Sequence, residues 1–479
     1  MRAIISRVNF TLNSLLKHLL SKAPHKGYNT STIPKKAPRT SMTTKKTNKT
    51  KGISAREGYT YKRSAGGIDE YTLNSNGLRV LLKEDHFAPV ATVMVTYHVG
   101  SRNEALGHTG ATHLLEHLMF KGSKKYNKKN KKQIWNLLQT KGARLNATTW
   151  LDRTNYFETV PVQYVETAIA FEADRMRNAF IKEEDRQLEM TVVRNEFERG
   201  ENNPIEAVDR DIWASAYQAH PYHHPTIGWK SDIEHVSIER LKKFYDTFYW
   251  PNNATVTVIG DIDRVNILAL VKKYFGVHKR APHEIPDVYT KEPRQRGQRR
   301  VRVERQGQTN IVGVAHKTPE GLHKDTCALL VLSQLLGGSK GSRLYRSLVD
   351  KGFATSVDMS DHPFRDPGLF ITYAFLTPGT SPKKVEDAVV REYEKIKHEE
   401  ISSSELKRAI AQLQSSILFA RDGSYTMAGS LNEALAIGDW TFFTNLPAKI
   451  GAVTAKQVRD VARKYLTDDQ STIGYFVAK

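Results

Sequence analysis

Two histidines and a glutamate stand close together in the segment His113-Leu114-Leu115-Glu116-His117. Residues four apart on an α-helix share one face, so both imidazoles can point at a common atom. The neighbouring carboxylate of Glu116 can reach the edge of the same site. Two neutral imidazoles and an oxygen ligand suit Zn²⁺. A carboxylate beside a metal-bound water is the general base that hydrolysis requires. The spacing therefore indicates a hydrolytic zinc site.

The alternative interpretation is a surface helix with two ordinary histidines, because a motif this short also arises by chance. The surrounding sequence argues against exposure, since Leu114, Leu115 and Leu118 make most of the helix apolar. Burying two imidazoles and a carboxylate without partners is energetically costly. A metal ion would supply the partner that such burial requires.

A zinc site needs a third protein ligand, and the segment from Glu183 to Arg199 offers carboxylates for it. This segment contains no Gly or Pro and predicts a helix on which Glu189, Val193 and Glu196 share one face. Two carboxylates on a half-buried face require positive charge opposite them. An exposed helix rich in ion pairs explains Glu189 equally well. The residues alone therefore leave the role of Glu189 open.

Three blocks of the sequence carry a resemblance to a known family. They are GATHLLEHLMFKGS, KGARLNATTWLDRTNYFETVP and LEMTVVRNEFERGENNP. In their order and spacing they resemble the inverted-motif zinc peptidases of the pitrilysin/insulinase family, and the resemblance extends over most of the chain after about residue 70.

The resemblance assigns roles to five residues. It implies that His113, His117 and Glu196 are zinc ligands and that Glu116 is the catalytic general base. It implies a second catalytic glutamate at Glu189, which supports the site from outside the ligand set. The sequence therefore predicts one bound Zn²⁺ as the cofactor.

A pair of strands follows the zinc motif. Ala143–Trp150 and Arg153–Val160 predict two strands around a turn at Asp152. The resemblance implies that Asn146 and Ala147 lie on an edge strand to which the peptide substrate adds by main-chain hydrogen bonds. A simple edge strand would show the same alternation of residues, so the pattern does not decide between them.

An internal repeat indicates the fold. The segment beginning at Val236 matches the segment beginning at Val453 in its apolar positions, at a constant offset, and each copy reads as helix, turn and strand. We therefore expect an α+β protein made of two homologous α/β-layered domains, each with an antiparallel-rich sheet and helices on one face. The expected divisions are a basic, mostly disordered tail (1–69), a zinc-binding catalytic domain (70–276), a linker (277–300) and a homologous inactive domain (301–479).

The second copy departs from the family at one segment. SRLYRSLVDKGFATSV resembles the family segment that supplies an Arg and a Tyr seven residues apart to the substrate, but it is one residue shorter. Thr355 stands at the Tyr position and Val349 or Asp350 at the Arg position. In similar split members the zinc and the Arg/Tyr pair belong to different subunits. A second subunit, in a homodimer or heterodimer, is therefore a possible source of the pair.

These observations predict a zinc metalloendopeptidase that hydrolyses peptides or unfolded polypeptides. The chain resembles the single two-domain half found in processing-peptidase-like bacterial members. The missing Arg/Tyr pair keeps one alternative open, a non-catalytic assembly subunit of a heteromeric peptidase-like complex.

Two further segments, one rich in lysine and one rich in histidine, are interpreted as structural rather than functional. Seven lysines lie in residues 121–132, with Tyr126 as the only interleaved aromatic, which favours a solvated loop over a nucleic-acid patch. No nucleic-acid partner is expected. The histidine cluster from His220 to His224 contains a Pro and predicts a structural loop rather than a second metal site.

Composition bears on the compartment. The net charge of the 479 residues is +21, and residues 1–56 supply thirteen Lys or Arg and no acid, so the folded part is only mildly basic. This tail is compatible with an organellar transit peptide, a bacterial envelope signal or a solvated basic segment. No apolar run is long enough for a membrane span. We expect a soluble protein that either undergoes mitochondrial-type import or is located in a bacterial cytoplasm or periplasm.

Overall fold

A computed structural model describes residues 58–479, so the predicted tail lies outside the described residues up to position 57. The first sheet already begins at β1 (Tyr59–Ala65) and β2 (Ile68–Leu73), ahead of the boundary expected at residue 70. Tyr59 is buried, and its hydroxyl donates to the Leu268 carbonyl oxygen at 2.8 Å. These strands contain many polar residues, so the hydrophobic pattern of the sequence does not predict them.

The first sheet has seven strands in the order β1-β2-β3-β7-β4-β6-β5. All neighbours are antiparallel except β3 and β7, which run parallel. The β5–β6 hairpin confirms the pair of strands predicted from the sequence. The strand bounds are β3 (Arg79–Glu84), β4 (Val90–Tyr97), β5 (Arg144–Thr149), β6 (Thr154–Pro161) and β7 (Ala254–Gly260).

Within the described residues, the first half contains seven α-helices. They are α1 (Ala111–Leu118), α2 (Val165–Asn178), α3 (Glu183–Glu201), α4 (Pro204–Ala216), α5 (Lys230–His235), α6 (Ile238–Phe248) and α7 (Arg264–Phe275). The core of this half contains side chains of α1, α2, α6 and α7 with the inward residues of β3, β4 and β7. No helix or strand is assigned between Phe275 and Arg299, where the linker was expected.

The second half repeats this plan around a five-stranded sheet in the order β10-β11-β9-β12-β8, in which only β12 and β8 run parallel. Its strands are β8 (Arg299–Arg305), β9 (Ile311–Lys317), β10 (Ala354–Ser360), β11 (Leu369–Leu376) and β12 (Ser471–Ala478). Its helices are α8 (Thr326–Gly337), α9 (Pro382–His398), α10 (Ser403–Phe419), α11 (Ser424–Ala436), α12 (Thr441–Gly451) and α13 (Ala455–Tyr465). The predicted α+β fold with a tandem duplication is confirmed.

The structure reproduces the sequence repeat residue by residue. The helix α6 begins at Ile238 after the cap residue Ser237, and α13 begins at Ala455 after the cap residue Thr454. In both copies the cap side chain accepts a hydrogen bond from a first-turn amide, which satisfies one of the free donors at a helix start. The following turns and strands keep the same offset.

The two halves exchange one helix each. Helix α4 of the first half packs on β8, β9 and β12 of the second sheet, and α11 of the second half packs on β4, β6 and β7 of the first sheet. Thr96 of β4 donates to Asn432 of α11 at 2.7 Å. Each sheet therefore has a face covered by the opposite half, which ties the halves together.

Two paired glycines make room for the crossing helix α4. Gly313 on β9 lies opposite Gly474 on β12. A Cβ at either position would lie 2.4 or 2.5 Å from the side chain of Ile212. The absence of side chains on these strands lets the helix lie directly against the sheet.

None of the helices in residues 58–479 combines the length and the apolar composition needed to cross a membrane.

We predict that Gly474→Ala lowers the free energy of unfolding by about 1–3 kcal/mol, because the added methyl overpacks against Ile212. Urea denaturation measures the change. An Ile212→Ala background should reduce the loss, since it removes the clashing atoms. Gly429→Ala is the matched control: it lies within α11 with open space around it, so it should stabilise by about 1 kcal/mol. Equal losses at both glycines would contradict the packing argument.

Candidate metal centre and active site

The zinc motif lies on α1, and all eight residues of this helix are buried. Gly110 precedes it with φ of 85°, and a Cβ there would lie 2.2 Å from the Ile227 carbonyl oxygen. The Glu104 carboxylate accepts hydrogen bonds from the amides of Gly110 and Thr112, both at 2.7 Å. A carboxyl group at a helix N-terminus satisfies free amide donors, and burial raises the pKa of Glu104 to about 8. No periodic pattern in the sequence indicates this capping role of Glu104.

Helix α3 presents the face predicted from its spacing. Its buried residues are Glu189, Val193 and Glu196. The remaining residues of the helix are partly or fully exposed. A helix that buries two carboxylates and one aliphatic side chain must meet donors or positive charge on the surface it covers.

The two helices bring three potential ligands together. One ligand atom from each of His113, His117 and Glu196 lies within 4.8 Å of the others. The Glu196 Oε2 atom is 3.8 Å from His113 Nε2 and 3.9 Å from His117 Nε2. Ligands of a tetrahedral zinc ion are separated by about 3.4 Å. Two imidazoles and one carboxylate are a donor set of catalytic zinc sites, so the residues present fit this ion.

Glu189 contacts a ligand rather than the centre itself. His117 Nδ1 donates to Glu189 Oε2 at 2.9 Å, and Lys121 forms an ion pair with the same carboxylate. Burial opposes ionisation of Glu189, but these two partners outweigh it and lower the pKa of the carboxyl group. With its Nδ1 proton held in this way, His117 presents Nε2 toward the cluster.

Glu116 lies beside the cluster and is held by the edge of the sheet. The Thr149 hydroxyl, at the end of β5, donates to Glu116 Oε2 at 2.6 Å. Burial raises the pKa of Glu116, and the nearby His117 and the Thr149 hydrogen bond offset part of this rise. A carboxyl group with a raised pKa is better matched to accepting and returning a proton near neutral pH. The sequence reasoning missed Thr149, because no residue spacing links β5 to α1.

Strand β5 forms one edge of the first sheet and pairs with β6 alone in the described part of the chain. Asn146 is exposed, whereas Ala147 is buried on the side of the zinc helix. The guanidinium of Arg153 donates to the Thr148 carbonyl oxygen at 3.0 Å and pairs with Glu433 of α11 at 2.5 Å. The second half therefore braces the edge strand next to Glu116.

The histidine loop from His220 to His224 joins the halves below this edge. His220 Nε2 lies 3.0 Å from Asp366 of the second half, and the Tyr222 hydroxyl donates to Asp152 at 2.7 Å. Arg102 donates to the same Asp366 at 2.5 Å. Among residues 58–479, the group on α1 and α3 is the only set of three potential ligands this close. The structural interpretation of the loop agrees with these contacts.

Two family models match the chain. The model of the insulinase family, peptidase family M16, matches residues 79–230, and the model of the peptidase M16 inactive domain matches residues 235–413. The chain belongs to peptidase family M16. The second match falls on the half whose equivalent of α1 lacks the His-x-x-Glu-His motif.

Relatives within family M16 are described as proteases or peptidases. The zinc protease PqqE of Helicobacter pylori is 32% identical over 402 residues, which cover 83% of this chain and 90% of that protein. A crystal structure of a protease from Helicobacter pylori superposes with a TM-score of 0.81 at 31% identity, covering 86% of this chain and 99% of that one. A probable mitochondrial-processing peptidase subunit beta of Arabidopsis thaliana is 27% identical, covering 83% of this chain and 76% of that protein.

The segment that departs from the family pattern lies at the start of β10. Thr355 is exposed there, and its hydroxyl donates to the Phe375 carbonyl oxygen at 3.2 Å. Val349 and Asp350 lie at the end of the preceding helical turn. None of the three candidate positions carries an Arg or a Tyr side chain.

We predict that Asp366→Asn weakens the junction in a pH-dependent manner. Burial raises the pKa of the Asp366 carboxyl group, but hydrogen bonds from His220 and Arg102 outweigh it and bring the pKa to about 2. The lowered pKa stabilises the folded state above the unfolded pKa of aspartic acid, so the variant should lose about 2 kcal/mol at neutral pH. The difference from wild type should shrink as the pH falls from about 4 to about 2.

Urea denaturation across this pH range measures the effect. Asp287→Asn is the matched control, because Asp287 also contacts Arg102, at 3.4 Å, but its side chain is 70% exposed. An exposed pair contributes roughly 0.5 kcal/mol. A pH-independent loss in Asp366→Asn, or an equal loss in both variants, would exclude the assigned role of the buried carboxylate.

Proposed function

We propose that this protein is a zinc metalloendopeptidase that hydrolyses peptides or unfolded polypeptides. The observation that carries the proposal is the approach of His113, His117 and Glu196 within 4.8 Å, with Glu116 on the same buried helix. Membership in a peptidase family and relatives described as zinc proteases support it. In this proposal the three clustered residues hold Zn²⁺.

The chemistry divides between the metal and the chain's own residues. Zn²⁺ held by His113, His117 and Glu196 would supply an activated water molecule and would polarise the scissile carbonyl group. Glu116 is placed to accept a proton from the attacking water and to deliver it to the departing amide nitrogen. Thr149 holds one oxygen of this carboxylate and fixes its orientation, which leaves the other oxygen to carry the proton. Glu189 keeps the tautomer and the ring orientation of His117.

The edge strand β5 supplies the substrate site in this proposal. A peptide that adds to β5 forms main-chain hydrogen bonds, which do not require a particular sequence. Asn146 and Ala147 lie in the middle of this strand, and its last residue, Thr149, touches the general base. A peptide must be extended to bind in this way, so flexible or unfolded segments are the proposed substrates.

The proposal also covers the organisation of the chain. We infer a zinc-binding half up to about residue 276 and an inactive half from about residue 301, joined by a linker. The inactive half offers Thr355 instead of the family's Tyr, so a second subunit is the proposed source of the Arg/Tyr pair. The similarity to a protein described as the beta subunit of a processing peptidase favours this arrangement.

A non-catalytic assembly subunit is the second candidate function. The residues at positions 349, 350 and 355 favour it, since they cannot supply the family's substrate contacts. Metal analysis separates the candidates: one zinc per chain supports the peptidase, and a metal-free chain that assembles with a partner supports the subunit. Cleavage by the pure chain would show that no partner is needed.

We predict that Glu116→Gln retains zinc but lowers kcat by about 10²–10⁴-fold, because glutamine keeps the shape of the side chain and cannot accept the proton. Cleavage of a quenched fluorescent peptide, with and without chelator, measures activity, and elemental analysis measures the metal. Glu284→Gln, an exposed carboxylate in the linker region, is the control and should leave kcat unchanged. Undiminished cleavage by Glu116→Gln would overturn the assignment of the general base.

We predict that Glu189→Gln weakens zinc binding by about 10–100-fold, because the charged partner of His117 and Lys121 is lost while the three proposed ligands remain. Competition with a chromogenic chelator measures the affinity. At saturating zinc the variant should recover most of its activity. Loss of kcat at full zinc occupancy, with unchanged affinity, would instead place Glu189 in the proton-transfer step.

A further inference from the structure

The segment that joins α1 to β5 carries charge that the proposed chemistry does not use. Residues 121–144 contain nine Lys or Arg and no Asp or Glu. Lys121, the first of them, is paired with Glu189. Six others are exposed and form no ion pair with any residue of the described range 58–479. They are Lys124, Lys125, Lys128, Lys129, Lys131 and Lys132.

The backbone of this lysine loop (residues 123–132) is held by its own polar side chains. Asn127 donates to the Ser123 and Lys124 carbonyl oxygens at 2.9 and 3.1 Å. Asn130 donates to the Lys124 and Lys125 carbonyl oxygens, both at 3.2 Å. The Ser123 hydroxyl donates to Asp174 of α2 at 2.6 Å. Asparagine and serine therefore fix the loop, and the ammonium groups are not consumed in doing so.

Holding like charges together in one loop is unfavourable through mutual repulsion, which an anionic partner would relieve. A run of lysines that served only solubility would not need a backbone fixed by side-chain hydrogen bonds. The arrangement therefore favours a binding surface for negative charge over a solvated loop, the reading that the sequence alone favoured.

The whole segment 121–144, which contains the lysine loop, is joined in sequence to elements of the site at both ends. Its first cation, Lys121, follows α1, and its last, Arg144, is exposed at the start of the edge strand β5. A peptide paired along β5 from Thr149 to Arg144 spans five residue steps, roughly 17 Å at 3.3 Å per residue. Beyond Arg144 the peptide leaves the strand at the end that residues 133–143 connect to the lysine loop.

We propose that the lysine loop binds an acidic stretch of the polypeptide substrate, about five or more residues from the bond that is cleaved. The inference rests on the proposed function, and it names the substrate class: flexible polypeptides with clustered Asp or Glu outside the cleaved core. Charge at the loop raises affinity and association rate without contacting the reacting atoms.

A peptide fits the loop better than the other polyanions do. The Tyr126 ring packs edge-on against Phe171 at 5.5 Å between centroids, so it is not available for stacking on nucleic-acid bases. Residues 121–132 contain no apolar side chain besides Tyr126 that could enter a bilayer. Single-stranded DNA and anionic membranes are therefore the rival partners that the experiment must exclude.

The test uses the full chain loaded with zinc and two peptides with one cleaved core. One peptide carries four Glu more than five residues from the scissile bond, and the other carries four Gln at the same positions. Each pair is made twice, with the extension on the N-terminal or on the C-terminal side of the bond. We expect KM to be about tenfold lower for the acidic peptide at low salt. The difference should disappear at high ionic strength, because surface charge is screened. The preference should also disappear in the variant K124Q/K125Q/K128Q/K129Q, with kcat for the Gln peptide unchanged.

A matched control removes the same charge elsewhere, from exposed lysines of the second half. It is the variant K340Q/K384Q/K407Q/K449Q, which should keep the preference. Fluorescence anisotropy of the labelled acidic peptide in the presence of chelator provides a readout that does not depend on cleavage. Binding there should weaken about tenfold in the loop variant only.

The outcomes separate this inference from the proposed function. If neither peptide is cleaved but the acidic one binds through the loop, the peptidase assignment fails and the charge recognition stands. If both peptides are cleaved with equal KM and bound equally, the inference is overturned while the peptidase remains. Tighter loop-dependent binding of an oligothymidylate, or of phosphatidylserine vesicles, than of the acidic peptide would also overturn it.

Discussion

The docking of α3 on α1 through buried polar groups is the interaction on which the site depends. The fully buried residues of α3 are Glu189, Val193 and Glu196, so two of the three are carboxylates. Carboxylates removed from water are strongly destabilising unless they meet donors or cations. Here they meet the imidazoles of α1 and the ammonium group of Lys121. The same side chains therefore form the site and hold the two helices together.

The duplicated half shows what the same geometry becomes without that chemistry. Helix α8 occupies the place of α1, and its buried side chains are mostly Leu and other apolar residues. It packs against α10, as α1 packs against α3, and the polar contact between them is a hydrogen bond from Gln334 to Gln412 at 2.8 Å. A neutral amide pair can be buried without a metal, because each group satisfies the other. One framework thus supports a potential metal centre in one half and a purely structural contact in the other.

The inactive half still contributes to the site. Helix α11 covers the far face of the first sheet, and its Glu433 braces Arg153 beside the edge strand. The pair formed by Arg102 and Asp366 holds the turn regions of both halves together below that strand. Because Thr149 ends β5 and donates to Glu116, these contacts link the second half to the Glu116 carboxylate through the edge strand. A duplicated domain that has no site of its own can be retained for this reason.

The sequence by itself determined the elements whose signals are periodic and local. The paired histidines of α1, the buried face of α3, the β5–β6 hairpin and the repeated helix, turn and strand all follow from residue spacing, because a helix or strand imposes its own period on burial. The tertiary structure alone decided the contacts of Thr149 and Arg153 and the exchange of α4 and α11. It also supplied the distances from Glu196 to the histidines, which the family resemblance implied without geometry. These depend on surfaces brought together from distant parts of the chain, and no local period encodes which surfaces meet. The strands β1 and β2 were also decided by the tertiary structure. Their polar sequences show no apolar alternation, and their hydrogen bonds to each other and to β3 define them as strands.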